Sequence, residues 1–134
     1  MIQISKILQS VPIFRTLGKE SIDFIVEKLK FKTFDKGQTI VKVGDPGDEM
    51  FIIISGKVNV IIFPQDNSEG QVVANLGPGD YFGEMALLTG EPRSASVVSE
   101  DECEAFALQQ NDFNVILERF PSISLSFANG STPL

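Results

Sequence analysis

Residues 82–95 read Phe82-Gly83-Glu84-Met85-Ala86-Leu87-Leu88-Thr89-Gly90-Glu91-Pro92-Arg93-Ser94-Ala95, and they lie between two predicted strands of the 134-residue chain. Gly83 carries no Cβ, so a bound molecule can approach its backbone, and the next residues can begin a short helix whose free N–H groups favour an anion. Arg93 adds a formal positive charge. Glu84 is an acceptor-only carboxylate at neutral pH, so it suits a ribose hydroxyl better than a phosphate. One ligand with both a phosphate and a free 2′-hydroxyl satisfies all three residues.

Short apolar runs separated by glycine turns extend on both sides of this stretch. The predicted strands are Phe31–Phe34, Thr39–Val43, Met50–Ser55, Lys57–Phe63, Gln71–Leu76, Ala95–Val98 and Cys103–Leu108. Turns between them are marked by sequences such as Gly44-Asp45-Pro46-Gly47-Asp48 and Gly77-Pro78-Gly79-Asp80. Short strands at this spacing are typical of an all-β sandwich or roll. We therefore predict a mainly β fold, with a β-roll over residues 31–108 and flanking helices.

Helical periodicity marks the chain before the roll. After a break at Leu17-Gly18, an amphipathic helix is predicted over Lys19–Leu29 from apolar residues at helical spacing, which are Ile22, Ile25, Val26 and Leu29. A shorter apolar stretch from residue 4 stops at Pro12 and predicts one or two earlier helical turns. The N-terminal helices are therefore expected over residues 4–29.

A second helical region follows the roll. Residues 110–120 carry an apolar stripe and predict a C-terminal helix, with Asn111 or Asp112 as its N-terminal cap. The tail can begin another short helix, which ends at the C-cap signal Asn129-Gly130. We expect a single domain over residues 1–134.

The composition disfavours several functional classes. The 11 basic and 18 acidic side chains give a net charge of −7, which argues against a surface for nucleic acid or an anionic membrane. The absence of histidine removes the commonest general base and metal-binding nitrogen. Cys103 is the sole cysteine, so no intramolecular disulfide can form. Without a signal peptide or a membrane-spanning run, we expect a soluble cytoplasmic domain.

These features resemble the cyclic nucleotide-binding domain family, in the form found in catabolite activators and cyclic-nucleotide-dependent kinases. Residues 82–95 match the family's phosphate-binding segment, which we call the cassette. The likeness runs from about Ile7 to Phe120 and also rests on residues outside the cassette, namely Phe14, Leu17, Gly44-Asp45, Met50-Phe51-Ile52-Ile53, Gly56 and residues 76–81. It implies a double-stranded β-helix, or jelly roll, with N-terminal helices and a C-terminal helix.

The resemblance also implies roles for the cassette residues. Arg93 takes the cyclic phosphate, and Glu84 takes the ribose 2′-hydroxyl. The backbone of three further residues lines the phosphate and sugar; they are Gly83, Met85 and Ala86. No other cofactor and no metal is expected.

Two further residues are candidates for ligand contact. Ser94 lies where a hydroxyl of the family can reach the ligand, and Val73, in the strand before the cassette, is an apolar neighbour of the purine. A hydroxyl at Ser94 can accept from the guanine amino group of a syn ligand, or donate to the phosphate of either nucleotide. The sequence therefore leaves cAMP and cGMP both open.

By this likeness the chain is a non-enzymatic sensor of a cyclic mononucleotide. Ligand binding is expected to shift the C-terminal helices and so to signal to an effector domain or protein. In the family the effector is a separate module, such as a DNA-binding, kinase, channel or phospholipase domain, and we expect it to lie outside this sequence. We expect no direct contact with nucleic acid or a membrane, and a monomer.

Three alternatives remain open. Family members close the pocket with a long helix after the roll, and here either that lid lies outside this sequence or Phe127 and the tail cover the base. A degenerate jelly roll that binds no nucleotide and mediates protein interaction is the alternative function, although the combination of Gly83, Glu84 and Arg93 speaks against it. A cupin-type metalloenzyme shares the roll, but without histidine its site would need carboxylates alone.

Overall fold

The computed structural model describes residues 17–64 and 69–121, together with Lys6, Leu8, Gln9 and Phe14. Its helices are α1 (Lys19–Lys28), α2 (Glu84–Thr89) and α3 (Gln110–Arg119). Its strands are β1 (Lys30–Phe34), β2 (Thr39–Val41), β3 (Glu49–Ser55), β4 (Val58–Ile62), β5 (Gln71–Leu76), β6 (Tyr81–Phe82), β7 (Ser96–Ser99) and β8 (Cys103–Gln109). The predicted mainly β fold with flanking helices is confirmed.

The strands of the described ranges form two antiparallel sheets. Each has four strands, in the orders β1-β8-β3-β6 and β2-β7-β4-β5. Both sheets contribute side chains to one apolar cluster, whose members include Phe51, Ile53, Phe82, Val60 and Val97. The two sheets therefore face each other across a shared core.

The helices pack against the other face of the first sheet. Met50 and Ile52 of β3 alternate with the residues of the inter-sheet core, so they point to the opposite side. They belong to a second apolar cluster, which also contains residues of α1, α2 and α3, namely Ile22, Ile25, Leu87, Phe113 and Ile116. Strand β3 is thus buried on both faces.

Two strand predictions need correction. The sequence pattern does not reveal β6, because two residues are too few to show alternation; this strand pairs with Phe51 and Ile52 of β3. The predicted strand Thr39–Val43 ends at Val41, because the chain turns at Gly44, which has a φ of 88°. The other strands agree with the prediction to within one residue at each end.

The helix predictions are partly confirmed. The amphipathic helix before the roll is present as α1, and α3 begins at the predicted residue. The prediction that Asn111 or Asp112 caps α3 is wrong, because Gln109, the last residue of β8, occupies the cap position. Strand β8 therefore continues directly into α3 without a separate capping residue. The Gln110 N–H, at the start of α3, donates to the Asp48 carbonyl over 2.9 Å. The earlier predicted turns fall largely, and the tail helix wholly, outside the described residues.

Two serines of β7 differ in their hydrogen bonding. Ser96 and Ser99 are both buried, at 5% and 2% exposure. The Ser96 hydroxyl accepts a hydrogen bond from the Val43 N–H over 2.9 Å. The Ser99 hydroxyl has no hydrogen-bond partner among the residues that the structure describes. A buried hydroxyl without a partner loses its hydration and gains no bond in exchange.

We therefore expect different effects on the free energy of unfolding from the two alanine substitutions. Ser96→Ala leaves the Val43 N–H without its partner and should lower the free energy of unfolding by about 1 kcal/mol. Ser99→Ala should leave the free energy of unfolding unchanged or raise it by up to about 1 kcal/mol. Urea denaturation measures both, and a Ser99→Ala protein destabilised as much as the Ser96→Ala protein would contradict this description of β7.

Candidate functional site

The cassette is built around a glycine that links β6 to α2. Gly83 has a φ of 92°, in the left-handed region that glycine adopts without strain, and α2 begins at the next residue. A Cβ at this position would lie 2.6 Å from Arg93 Nη1 and 2.9 Å from the Glu49 carbonyl oxygen. Glycine is therefore required here for its backbone conformation and also because the Arg93 side chain occupies the adjacent space.

The Arg93 side chain is buried, with 4% of its surface exposed. Its Nη1 donates to the Gly83 carbonyl over 3.1 Å, and its Nη2 donates to the Glu49 carbonyl. Burial lowers the pKa of the Arg93 guanidinium, and the negative charges of Asp48, Glu49 and Glu84 oppose that shift. The group remains a cation at physiological pH, because arginine keeps its proton in proteins. The site thus contains a positive charge that is largely removed from water.

The turn before β3 holds the backbone of Arg93. The Arg93 N–H donates to the Asp45 carbonyl over 2.9 Å, and the Gly44 N–H donates to the Arg93 carbonyl over the same distance. A Cβ on Gly47 would overlap Ala86 Cβ in the cassette helix. The sequence predicts this turn but not its contact with the cassette, because the contact uses backbone atoms and the absence of a side chain.

Glu84 is the first residue of α2 and is fully buried. A carboxylate in the first turn of a helix interacts favourably with the helix dipole. Among the residues that the structure describes, Glu84 is the one buried acidic side chain and Arg93 the one buried basic side chain. Both belong to the cassette, so the buried charges of this part of the chain are gathered in one segment.

The remaining predicted site residues occupy different environments. Ala86 is buried at 3% exposure, Met85 is half-buried and Ser94 is exposed, all within the cassette. Val73 lies in β5, at the outer edge of the second sheet, and is 49% exposed. The structure therefore brings the cassette residues together with Arg93, whereas Val73 belongs to a different element.

A small cavity lies beside the Arg93 guanidinium, on the side of β2 and β3. Its volume is about 150 Å³, and charged residues among its lining are Lys42, Asp45, Asp48, Glu49 and Arg93. Ligand pockets usually measure about 300–1,000 Å³, so this cavity has room for water but not for a nucleotide. Asp45 and Asp48, in the turn before β3, and Glu49, in β3, thus share this cavity with Arg93.

The cassette is also connected to the C-terminal helix. The side-chain amide of Gln110, the first residue of α3, donates to the Leu87 carbonyl of α2 over 3.1 Å. The backbone N–H of Gln110 donates to Asp48, in the turn that holds Arg93. One residue therefore connects the start of α3 to both parts of the site, a role that its residue type alone does not reveal.

Two further findings concern the described part of the chain. None of its helices is both long enough and apolar enough to cross a membrane. Its side chains include no cluster of three or more His, Cys, Asp or Glu residues that could hold a metal ion.

Tyr81 directly precedes the cassette. It is the sole tyrosine of the sequence, so the titration of its phenol can be followed without overlap from another tyrosine. Burial, and to a lesser degree the negative charge of Glu84, raise its pKa from 10.0 to about 12. The neutral phenol therefore contributes stability that is fully present below about pH 10 and is lost as the pH rises toward 12. Two pKa units correspond to a loss of about 2–3 kcal/mol.

We expect alkaline titration, followed by the near-ultraviolet absorbance of the phenolate, to give a pKa well above 10 for the folded protein. Glu84→Gln should lower that pKa without returning it to the ordinary value, since burial is the larger cause. Tyr81→Phe serves as the control, because it removes the signal and the associated loss of stability. A folded protein whose phenol titrates near pH 10 would contradict this description.

The comparisons with known proteins identify the family of the chain. The family model described as "Cyclic nucleotide-binding domain" matches residues 31–120, more than half of the chain. A cyclic nucleotide-gated potassium channel of Mesorhizobium japonicum is 36% identical over 122 residues, which cover 91% of this chain and 32% of the channel. The cAMP-dependent protein kinase regulatory subunit of Dictyostelium discoideum is 41% identical over 109 residues, 80% of this chain and 33% of that protein. The chain thus spans about a third of these two relatives.

Solved structures give the same result for the fold. The catabolite activator protein of Thermus thermophilus superimposes with a TM-score of 0.81 at 31% identity, over 88% of this chain and 55% of that chain. The predicted jelly roll and the predicted resemblance are both confirmed. The chain belongs to the cyclic nucleotide-binding domain family.

Proposed function

We propose that this chain is a non-enzymatic regulatory domain that binds a 3′,5′-cyclic purine nucleotide, cAMP or cGMP, in the cassette. The observation that carries the proposal is the buried guanidinium of Arg93, held against the Gly83 carbonyl at the start of the cassette. Removing a cation from water is unfavourable unless an anion or hydrogen-bond acceptors compensate for the lost hydration. Two carbonyls provide part of this compensation, and a bound phosphate would add an opposite charge.

In this proposal the two buried charges have separate roles. Arg93 binds the cyclic phosphate, and Glu84 accepts a hydrogen bond from the ribose 2′-hydroxyl. The backbone around Gly83, Met85 and Ala86 lines the sugar and phosphate, and the burial of Ala86 against the Gly47 turn supports a rigid wall there. Because the donor and the acceptor are fixed before binding, little ordering is needed when the ligand arrives.

The residues that would distinguish the base are less constrained. Ser94 follows Arg93 directly and is exposed, so its hydroxyl is accessible to a ligand at the surface of the cassette. Val73 is half-exposed on β5, and we propose it as an apolar neighbour of the purine. Covering a side chain of this kind with a base buries apolar surface and favours binding. Neither residue selects between cAMP and cGMP by its chemistry alone.

We further propose that binding is relayed to an effector domain or protein through the C-terminal helices. Support comes from Gln110, which joins the start of α3 to the Leu87 carbonyl of α2 and to the turn that holds Arg93. A ligand that contacts the cassette in only one arrangement of α2 and α3 shifts the population toward that arrangement. The relatives differ in their whole-protein functions, a channel and a kinase regulatory subunit, so the output depends on the attached module.

Arg93 provides the direct test of the ligand site. Arg93→Ala should weaken binding of the preferred cyclic nucleotide by about 2–5 kcal/mol, at least about 30-fold, because the phosphate loses its charge partner. Arg93→Lys keeps the charge but not the two-pronged geometry, so an intermediate loss is expected. Isothermal titration calorimetry with cAMP and with cGMP measures each dissociation constant.

Lys36→Ala is the matched control for this test. Lys36 is exposed in the turn after β1, and its loss changes the net charge by the same amount. Thermal melting establishes that each variant is folded, since Arg93 also pairs two backbone carbonyls. A folded Arg93→Ala protein with the affinity of the parent would refute the role of Arg93, whereas a parent that binds neither nucleotide would favour the alternative of a non-binding interaction module.

Gln110 tests the relay separately from binding. Saturating ligand should change the hydrogen-exchange protection of α3 amides in the parent, and Gln110→Ala should reduce that change because the link to Leu87 is lost. The dissociation constant should change less than tenfold. Asn111→Ala, the next and exposed residue of α3, is the control. A Gln110→Ala protein whose α3 responds like that of the parent would show that the signal does not pass through this bond.

A further inference from the structure

Glu49 takes part in two interactions that meet at the candidate site. Its carbonyl oxygen accepts the hydrogen bond from Arg93 Nη2. Its carboxylate is held by Lys32 of β1, whose Nζ lies 3.1 Å from Oε1 and 2.9 Å from Oε2. The same Nζ lies 5.9 Å from the centre of the Phe51 ring, so Lys32 is placed by an aromatic ring as well as by the carboxylate. The backbone of one residue thus holds Arg93, while its side chain is held by a lysine.

The position of this carboxylate matters because Glu49 shares a cavity with Arg93. Glu49 and Arg93 line the same cavity of about 150 Å³, and the charge of Glu49 acts on the guanidinium. An arginine and a carboxylate pair strongly through two parallel hydrogen bonds. A Glu49 carboxylate that has lost its ion pair with Lys32 would therefore have Arg93 as an alternative cation with which to pair. Such a pair would compete with any anion for the same guanidinium.

We propose that Lys32 is a positioning residue for the anion site: its ion pair with Glu49 keeps that carboxylate away from the Arg93 guanidinium and so leaves Arg93 available to an anionic ligand. This inference rests on the proposed function and assigns to the site a determinant of affinity on β1, outside the cassette. The Lys32–Glu49 pair is partly exposed, with side-chain exposures of 38% and 18%, so it contributes little to folding. We therefore expect loss of this ion pair to change the ligand affinity more than the free energy of unfolding.

The size of the effect follows from population arithmetic. If Glu49 occupies Arg93 in about 90% of Lys32→Met molecules, only about one tenth can bind, and the apparent affinity falls about tenfold. Lys32→Arg keeps a cation opposite Glu49 and should retain most of the affinity. Glu49→Gln removes a charge that Lys32 already holds away from Arg93, so it should raise the affinity by no more than about twofold. The double variant Lys32→Met/Glu49→Gln should regain most of the affinity that Lys32→Met loses, because the released Glu49 carboxylate is absent, while Asp48, which also acts on Arg93, is the same in every variant.

Calorimetry with cAMP and cGMP on these four variants tests the proposal. Lys30→Met is the matched control, because Lys30 is an exposed residue of the same strand and its loss removes the same charge. It should change the affinity less than twofold, since exposed charges are screened by salt. The proposal is overturned if Lys32→Met binds like the parent, if Lys30→Met loses as much affinity, or if the double variant remains as weak as Lys32→Met.

A second readout needs no nucleotide and so separates this inference from the proposed function. The ¹⁵N-labelled guanidinium of Arg93, assigned with Arg93→Lys, should show slower Nε–H exchange with water in Lys32→Met than in the parent, since Glu49 now pairs with it. Exchange should return to the rate of the parent in the double variant. If the parent binds no cyclic nucleotide, the proposed function fails and this exchange rate still decides the role of Lys32. Equal rates in the parent and Lys32→Met would overturn it.

Discussion

The hydrogen bonds of the buried Arg93 guanidinium to two backbone carbonyls are the interactions on which the rest of this site depends. Arg93 donates to the carbonyl of Gly83 in the cassette and to the carbonyl of Glu49 in β3. A cation in this position needs fixed acceptors, because the loss of hydration is otherwise too unfavourable. The left-handed Gly83 exposes one carbonyl and leaves space for the side chain, and the Gly44–Asp48 turn fixes the arginine backbone.

The fold provides this arrangement through β3. The strand is buried on one face by the inter-sheet core and on the other by the helices, so both cores hold the backbone that begins with Glu49. The carbonyl of Glu49 accepts a hydrogen bond from Arg93, and its carboxylate forms an ion pair with Lys32. Packing of the apolar core is therefore what positions the polar groups of the site. The start of α3, held by Gln110, is attached to the same framework.

The sequence predicts the parts of this site that are local. Gly83, Glu84 and Arg93 fall within one short segment, and their residue types have a clear chemical meaning together. The contacts of Glu49, Lys32 and Gln110 join residues that are far apart in the sequence, and several use backbone atoms. No local pattern of residue types therefore predicts them. Strand β6 is too short for periodicity, and the predicted cap of α3 is replaced by a strand that continues into the helix. The ligand contacts of all the predicted site residues, the domain limits and the monomeric state stay predictions.

The most direct test of the central claim is a thermal-denaturation series of the parent protein with cAMP, cGMP, 5′-AMP and buffer alone. A ligand at about 100 times its dissociation constant adds about 2.7 kcal/mol to the free energy of unfolding. For a domain of this size we expect the midpoint to rise by several degrees with at least one cyclic nucleotide, and not with 5′-AMP, which lacks the cyclic phosphate. An unchanged midpoint with both cyclic nucleotides at millimolar concentration would contradict the claim that the cassette binds them.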